Sequence, residues 1–430
     1  MNNTNNYRKL FIGIDDEITI CNGKKFVPIN LDNGATTPSL KECMKCVSDM
    51  LYVYGSIGRG KGYKAKFCNE FYESSRKKVL KFFNVKNTED YTVIYVKNAT
   101  EGLNLLAKAL GNKKEYIIST RMEHHANDLP WRISSNVIYI DVDEKGFLNK
   151  EKVEHIIRKN RGKAKYITIT GASNVTGYLN PINEIAKIAH ENGMKIIVDA
   201  AQLVAHKKIN MNGNEKDDYI DFLVFSAHKM YAPFGCGVIV ARKECIEDKE
   251  PLLRGGGAVD LVSDNKVYLD TEPERFEAGT PNIIGVCALL SSIRIISSIG
   301  FQKIEEEEEK LKNYLLYGLE NMPDIITYGD SKCKDRIGIA IFNVKDIHHD
   351  IIAERLANLR GIAIRNGTFC AHPYARRLLN IKDEEFCKYA YSDKKRPGML
   401  RASLGLYNSK EEVDEFLNTL EIVKSKDFKF

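Results

Sequence analysis

Between residues 88 and 245 the sequence alternates short β-rich runs with helical patterns, and this alternation constrains the fold more than any other feature. The helical pattern at 182–192 is the clearest of those that separate the runs. The β-rich runs are 92–96, 115–119, 137–140, 166–170, 195–198, 221–225 and 237–241. This order predicts an α/β fold with a mostly parallel central sheet flanked by helices. Ligands of such sheets gather beyond the carboxyl ends of the strands.

Two charged residues stand at the ends of strands on that edge. Asp199 directly follows the run 195–198, and Lys229 follows the run 221–225 after a short turn. Pyridoxal 5′-phosphate needs an amine that holds it as a Schiff base and a carboxylate that keeps its ring nitrogen protonated. Lys229 and Asp199 supply both groups. Strand ends often carry such residues without any coenzyme, so the neighbouring residues have to distinguish the two interpretations.

Residues beside this pair favour the coenzyme. Gln202 lies three positions after Asp199, where its amide can donate a hydrogen bond to the phenolic oxygen of the coenzyme ring. Ser226 and His228 flank the lysine and can donate to a phosphate. The sequence therefore predicts polar partners for both ends of the coenzyme.

A second segment predicts a phosphate site. The run 92–96 is followed by a turn and the start of an amphipathic helix that includes Ala99 and Thr100. Free N–H groups and the helix dipole at such a start bind phosphate, and Thr100 adds a hydroxyl. His124, next to His125, offers an imidazole that can stack on the coenzyme ring. The simpler alternative is that both histidines are solvated loop residues.

Together these segments resemble the class V enzymes of the aspartate-aminotransferase fold (fold type I), and within them the cysteine desulfurase and selenocysteine lyase family. The resemblance follows the family's order from residue 31 to residue 404. The matching segments are Leu31-Asp32-Asn33-Gly34-Ala35-Thr36-Thr37-Pro38, Glu123-His124-His125-Ala126-Asn127, Ser173-Asn174-Val175-Thr176-Gly177, Asp199-Ala200-Ala201-Gln202, Ser226-Ala227-His228-Lys229, Arg275-Phe276-Glu277-Ala278-Gly279-Thr280-Pro281-Asn282, Arg365-Asn366-Gly367-Thr368-Phe369-Cys370-Ala371 and Arg401-Ala402-Ser403-Leu404.

The resemblance implies roles that the residues alone do not reveal. Cys370 matches the sulfur-accepting nucleophile, and it is expected to act with Lys229 and His124 as the catalytic residues. Arg401 matches the residue that holds the α-carboxylate of an amino acid, for which a planar guanidinium is suited. Arg365 matches another active-site arginine of the family.

Further matches concern the coenzyme and the subunits. Asn174 matches a residue expected to contact both coenzyme and substrate, and Ala99 replaces a hydroxyl residue that commonly precedes Thr100. Gly279 and Thr280 match residues that reach the phosphate of the neighbouring subunit. The resemblance therefore implies a homodimer with shared active sites.

The implied activity is that of a cysteine desulfurase, which is a transferase of sulfur metabolism. The sulfur that such an enzyme releases is used, among other purposes, in iron–sulfur cluster assembly. Freed Lys229 is expected to take the α-proton of L-cysteine. Cys370 then attacks the substrate sulfur, so that alanine leaves and a persulfide stays on the enzyme. A small sulfur-acceptor protein or a thiol must remove that sulfur.

Other functions use the same residues. A selenocysteine lyase needs the same groups as the desulfurase. Another class V aminotransferase, epimerase or lyase would not require Cys370. A catalytically idle scaffold protein is disfavoured because Lys229, Asp199 and His124 are all intact.

One departure from the family pattern concerns the segment between Cys370 and Arg401, which is much longer than the resemblance leads us to expect. It contains His372 and Cys387 and borders the presumed substrate entrance. The exact substrate, the acceptor and any role of Cys387 therefore stay open. In addition, Ala258 stands where sulfur-transferring members often have glutamate.

Composition narrows the remaining classes. The net charge of +6 comes from 64 basic and 58 acidic residues without a basic stripe, so nucleic-acid binding is not expected. The chain shows neither a signal-peptide core in residues 1–6 nor a run of 18 apolar residues, so we expect a cytoplasmic protein without a membrane span. Ten cysteines fit a reducing compartment.

Cys43 and Cys46 have the spacing of metal ligands, but no second pair of ligands accompanies them in the sequence. No metal site is therefore expected.

The chain is long enough for two domains. We expect residues 30–285 to form the large coenzyme-binding domain and residues 286–430 a smaller α+β C-terminal domain. The N-terminal segment 1–29 is expected to join them.

Overall fold

The computed structural model describes residues 7–19, 23, 25–58, 60–392 and 394–428. Residues 1–6, on which the expectation about a signal peptide depends, lie outside this part of the chain. The strands are β1 (Ile18–Thr19), β2 (Lys25–Phe26), β3 (Ile29–Asn30), β4 (Tyr91–Val96), β5 (Tyr116–Thr120), β6 (Asn136–Ile140), β7 (Ala164–Thr170), β8 (Lys195–Asp199), β9 (Phe222–Ser226), β10 (Gly237–Arg242), β11 (Val259–Val262), β12 (Val267–Leu269), β13 (Ile325–Thr327), β14 (Ile339–Val344), β15 (Ile362–Ala363), β16 (Arg365–Gly367) and β17 (Met399–Ser403). The helices are α1 (Lys41–Val53), α2 (Tyr63–Phe82), α3 (Ala99–Leu110), α4 (Leu129–Ser134), α5 (Lys150–Lys159), α6 (Ile182–Glu191), α7 (Lys243–Ile246), α8 (Ile283–Ile299), α9 (Phe301–Glu320), α10 (His349–Arg360), α11 (His372–Leu378), α12 (Asp383–Cys387) and α13 (Lys410–Val423).

The central sheet has the strand order β4-β10-β9-β8-β7-β5-β6. Strands β5 to β9 pair in parallel, whereas β10 runs antiparallel to both β4 and β9. Each predicted β-rich run corresponds to one of these strands, with ends that differ by at most two residues. The α/β class and the mostly parallel sheet predicted from the sequence are therefore confirmed.

The register of the sheet brings several strand ends to one edge. Thr170 on β7 pairs with Asp199 on β8, and Asp199 pairs with Val224 on β9. All five residues of β9 are buried, as expected for an inner strand covered by helices on both faces. Asp199 and Ser226 are the last residues of their strands, so the residues that follow them lie at the carboxyl edge.

A second, smaller sheet has the order β13-β14-β17-β16 and is antiparallel throughout. Apolar residues of α9, α10 and α13 form its core together with Ile29 and Leu31, which precede α1 in the chain. Ile29 also pairs with Ile362, which ties β3 to β15. This sheet and its helices form the α+β unit expected at the C-terminus.

The two cores meet along α9. Ile283 and Ile293 of α8 are buried in the core of the central sheet, as is Ile304 near the start of α9. Leu315 and Leu319, further along the same helix, belong to the core of the small sheet. Periodicity shows that each helix buries an apolar face, and only packing shows which sheet that face covers. The expected boundary at residue 285 stays a prediction.

The N-terminal segment contacts both units. The ring of Phe11 lies 5.1 Å from the ring of Tyr231 in the large domain and 5.0 Å from that of Tyr407 near the C-terminus. Within the described residues, no single helix is long and apolar enough to cross a membrane. Taken together, α8 and α9 have the length and composition of a membrane span, but the two helices are bent by 80° relative to each other.

The described residues of the long segment between Cys370 and Arg401 pack against the large domain. The segment contains α11 and α12. The buried Tyr374 hydroxyl donates to the carbonyl of Gly146 at 2.7 Å. Arg377 binds the carboxylate of Asp141 through Nε at 2.5 Å and Nη2 at 3.1 Å. The segment thus forms a fixed wall beside Cys370.

Candidate active site

Lys229 ends the 3-10 turn that follows β9, at the carboxyl edge of the central sheet. Burial lowers the pKa of its amine to about 8, while Asp199 opposes and Arg401 reinforces this shift. Cys370 also opposes it, so these four side chains lie within electrostatic reach of one another. A lysine amine with such a pKa is partly neutral near pH 7, as a nucleophile or base requires.

Asp199 is buried at the end of β8. Burial raises the pKa of its carboxyl, and a hydrogen bond from the backbone N–H of Ala201 at 3.0 Å and the charge of Lys229 both lower it. That N–H binds Oδ1. Asp199 would hold the ring nitrogen of the coenzyme in its protonated form, which would supply the charge partner that this buried carboxylate needs.

His124 lies beside the lysine with a neutral ring. Its Nδ1 accepts a hydrogen bond from the backbone N–H of Ala126 at 3.0 Å, which caps the turn His125–Asn127. Burial and the charge of Lys229 lower the pKa of His124 to about 3. Since Nδ1 is an acceptor, the proton of the neutral ring is on Nε2. A neutral, oriented imidazole is suited to stack on an aromatic coenzyme.

Residues 31–37 close the other side of the site. The Gln202 amide donates to the carbonyl of Gly34 at 2.7 Å, and Nδ1 of His228 lies 3.0 Å from Oγ1 of Thr36. Burial and Lys229 lower the pKa of His228 to about 4, so this ring is also neutral. Sequence reasoning missed Gly34 and Thr36, although both stand in a segment that carries the family resemblance.

The predicted phosphate site is formed by α3 and β9. The backbone N–H of Ala99 donates to Oγ of Ser226 at 2.7 Å, and Asn98 caps α3 by accepting from the N–H of Glu101 at 3.0 Å. Thr100 is exposed in the first turn of the helix. The Ser226 hydroxyl therefore lies beside the first residue of α3, at the positive end of that helix.

Gly279 and Thr280 are not among the residues that these contacts join. Both are exposed, and the N–H of Gly279 donates to the carbonyl of Gly256 at 2.8 Å. A residue that serves a neighbouring subunit would be exposed in this way on a single chain.

Cys370 is exposed on a loop whose backbone is firmly held. The N–H of His125 donates to the Cys370 carbonyl at 2.7 Å, and the Asn174 amide donates to the Phe369 carbonyl, also at 2.7 Å. Phe369 and Cys370 both have φ of 53°, a left-handed conformation that costs energy for residues other than glycine. These contacts fix the backbone that carries the exposed thiol.

Two arginines lie within electrostatic reach of the lysine and share one aspartate. Arg401 is only 2% exposed; its Nη1 donates to the Asn174 carbonyl at 2.7 Å and its Nη2 to Oδ1 of Asp32 at 3.1 Å. Its Nε is buried without a hydrogen-bond partner. Nη1 of the half-exposed Arg365 lies 3.8 Å from Oδ2 of Asp32. Sequence reasoning missed Asp32, the acidic residue of the matched segment 31–38.

The residues present fit pyridoxal 5′-phosphate. The amine of Lys229 is partly neutral, the carboxylate of Asp199 is buried, and the imidazole of His124 is neutral. The start of α3 and Ser226 provide donors for a phosphate. The unpaired Nε of Arg401 is a donor for which an amino-acid carboxylate would be the acceptor.

His348, His349 and Asp350 form the one group in the described residues whose metal-ligating atoms cluster, within 4.8 Å of one another. Nδ1 of His348 accepts from the N–H of Asp350 at 3.3 Å and caps α10. Both Nε2 atoms lie 3.1 Å from the carbonyl of Arg396. The ring nitrogens of this group are therefore used in hydrogen bonds. The bonds to Arg396 hold the C-terminal part of the segment between Cys370 and Arg401.

Comparison with known proteins identifies relatives over nearly the whole chain. The family Aminotransferase class-V matches residues 29–416. A probable cysteine desulfurase of Halalkalibacterium halodurans is 32% identical over 433 residues, which cover 98% of both chains. A cysteine desulfurase of Escherichia coli O7:K1 is 34% identical over 378 residues, or 86% of both chains.

Solved structures agree with these relatives. The apo structure of a cysteine desulfurase from Thermococcus onnurineus superposes with a TM-score of 0.81 and 34% identity, covering 92% of this chain and 94% of that one. A cysteine desulfurase from Escherichia coli gives a TM-score of 0.80 and 25% identity, covering 97% of both chains. The similarity therefore extends over both domains.

Proposed function

Because the chain belongs to the class V aminotransferase family and matches cysteine desulfurases over most of its length, we propose that it is a pyridoxal 5′-phosphate-dependent cysteine desulfurase. The proposed reaction converts L-cysteine to L-alanine and leaves the sulfur as a persulfide on Cys370. One observation carries the proposal from the side of the geometry: an exposed thiol on a held loop stands within electrostatic reach of both Lys229 and Arg401.

Each end of the coenzyme has residues to hold it. Lys229 would bind it covalently, and Asp199 would keep its ring nitrogen protonated. His124 would stack on the ring, and Gln202 would donate to its phenolic oxygen. The phosphate would bind at Ser226, His228 and the start of α3. When bound, pyridoxal 5′-phosphate supplies an electron sink for the bonds that break at the α-carbon.

The protein's own groups orient the substrate and move its proton. Arg401 would hold the α-carboxylate, with Asn174 fixing the guanidinium through its carbonyl at 2.7 Å. Arg365 is half-exposed and faces the same Asp32 carboxylate that binds Arg401. The substrate amine would take the place of Lys229 on the coenzyme. The freed Lys229 amine would then be the base that takes the α-proton, because its lowered pKa leaves it partly neutral.

Sulfur transfer then depends on Cys370. Its thiolate attacks the sulfur of the substrate, an S–S bond forms and the bond between the β-carbon and sulfur breaks. The electron pair of that bond remains with carbon, which takes a proton and leaves as alanine. One thiol and one cysteine thus give one persulfide and one alanine, and no external oxidant is needed.

We propose a homodimer in which Gly279 and Thr280 reach the partner's phosphate site. Exposed aromatic side chains support an interface at the junction of α1 and α2, where Tyr52 is 80% and Tyr63 92% exposed. Lys64 near the start of α2 donates to the Tyr52 carbonyl at 2.8 Å, so these rings belong to one region. Such exposed apolar surface marks interaction sites.

We also propose that the persulfide is passed to a small sulfur-acceptor protein in the cytoplasm, for uses that include iron–sulfur cluster assembly. The exposure of Cys370 supports access by a macromolecule. The described cysteines are all free, which agrees with a reducing compartment.

The test uses holoenzyme with L-cysteine and measures alanine, sulfide and pyruvate. Replacing Cys370→Ser should lower alanine release at least 100-fold while the visible absorbance of the bound coenzyme remains. Cys387→Ser is the matched control, because Cys387 is also an exposed thiol near the same segment. Mass spectrometry of the wild type should find the added sulfur on the peptide that contains Cys370.

Alanine release by Cys370→Ser at the wild-type rate would refute the desulfurase proposal and favour another class V lyase or aminotransferase. If only the cysteine reaction is lost and selenocysteine is still cleaved, the selenocysteine lyase alternative takes its place.

A further inference from the structure

The register of the small sheet forces two arginines together. Arg365 on β16 and Arg401 on β17 are directly paired residues of neighbouring antiparallel strands. Like charges at directly opposite positions of a sheet repel each other. The charge of Arg365 is one of the influences that lower the pKa of Arg401, together with burial, the largest of them.

Asp32 is the counter-charge, and the backbone holds it in place. The N–H of Ser403 donates to the carbonyl of Leu31 at 2.6 Å, and the N–H of Asn33 donates back to Ser403 at 3.4 Å. Asp32 is therefore fixed beside β17 by its two neighbours in the chain. Its carboxylate spans the pair, with Oδ1 on Arg401 at 3.1 Å and Oδ2 facing Arg365 at 3.8 Å.

We infer that Asp32 determines the charge class of the substrate, because it leaves the two arginines with one net positive charge. This inference rests on the proposed function, in which Arg401 and Arg365 line the substrate pocket. One remaining charge is balanced by the α-carboxylate of an amino acid whose side chain is neutral, such as L-cysteine. A substrate with a second carboxylate would place its extra negative charge close to Asp32.

The net charge of Arg365, Arg401 and Asp32 predicts which amino acids the site prefers. Without Asp32 the arginine pair carries two positive charges and becomes suited to a dicarboxylate. Asp32→Asn is nearly isosteric and keeps an oxygen for Nη2 of Arg401, so the substitution changes charge more than shape. Selectivity should therefore move from amino acids with one carboxylate toward those with two.

The experiment titrates holoenzyme with L-asparagine and L-aspartate, which have the same shape and differ by one charge. Binding is followed by the change in the visible absorbance of the bound coenzyme. Asp32→Asn should shift the ratio of the two dissociation constants toward L-aspartate at least tenfold, and added salt should reduce the shift. The control Glu415→Gln removes a carboxylate from Arg360 in the same domain, where the two lie 2.7 Å apart, and should leave the ratio unchanged.

A ratio within twofold of the wild type in Asp32→Asn, or an equal shift in Glu415→Gln, would overturn the inference. Arg365→Gln provides an independent measurement if Asp32→Asn does not fold. It removes one positive charge and should shift the ratio toward L-asparagine; no shift would also overturn the inference. The titrations do not depend on alanine release, so a failure of the desulfurase proposal is recognised separately.

Discussion

The amine of Lys229 should react at a pH at which ordinary lysines are inert. Burial lowers its pKa to about 8, from an ordinary value of 10.5. At pH 7 roughly one amine in ten is then neutral, against about one in 3,000 for an ordinary lysine, an enrichment of about 300-fold. The neutral fraction rises with pH and reaches one half near pH 8. This enrichment is what a lysine needs in order to capture a coenzyme aldehyde at physiological pH.

Competitive acetylation of the coenzyme-free protein between pH 6 and pH 11 measures this value. Mass spectrometry quantifies the acetylated peptide that contains Lys229 and, as an internal reference, the one that contains Lys310. Lys310 is exposed, and its hydrogen bond to Glu307 raises its pKa above the ordinary value of 10.5. Arg401→Gln should move the Lys229 midpoint upward, because the Arg401 charge lowers this pKa.

A Lys229 midpoint at or above pH 10 would refute this reasoning, since it would mean that the amine is solvated. The same pKa also has a consequence for stability. Between about pH 8 and pH 10.5 the unfolded chain holds the proton more tightly than the folded protein does. The contribution of Lys229 to the free energy of unfolding therefore increases with pH across this range.

Two further substitutions test the coenzyme site and the dimer. Lys229→Ala should abolish the visible absorbance of the bound coenzyme in a folded protein; a coenzyme that borohydride still traps on another lysine would show that Lys229 is not the attachment point. Thr280→Ala should weaken coenzyme retention at least several-fold in a dimer, because the partner's phosphate loses a hydroxyl donor. Light scattering with coenzyme quantification checks this, and a monomer that retains the coenzyme at full occupancy would contradict it.

Local sequence signals were sufficient for the central sheet and for the pair of residues at its edge. The strands β4 to β10 are short, apolar and rich in branched residues, so their identity depends on a pattern within a few residues. Asp199 is the last residue of β8, and Lys229 ends the short turn after β9. Because parallel strands of one sheet end at the same edge, their proximity follows from the sequence and the fold class together.

Local signals did not show which core each apolar helix face enters. The helices α8 and α9 are adjacent in sequence and both have apolar faces, yet α8 packs on the large core, whereas α9 contributes Ile304 to that core and Leu315 to the small one. Periodicity shows that a face is buried but not which neighbour buries it. The fold of the long segment after Cys370 likewise depends on partners such as Asp141 and Gly146, which precede it by more than 200 residues.

The sequence by itself therefore determined the α/β class, the strands and the pairing of Lys229 with Asp199. Only the tertiary structure decided the ionisation of His124 and Lys229, because burial depends on residues from several segments of the chain. The tertiary structure also places Asp32 between Arg365 and Arg401, although 369 sequence positions separate Asp32 from Arg401. A local sequence pattern shows where a charged residue stands, but distant strands determine which charges lie next to it. Coulomb interactions depend on separation in space and on burial, and neither can be read from a local pattern.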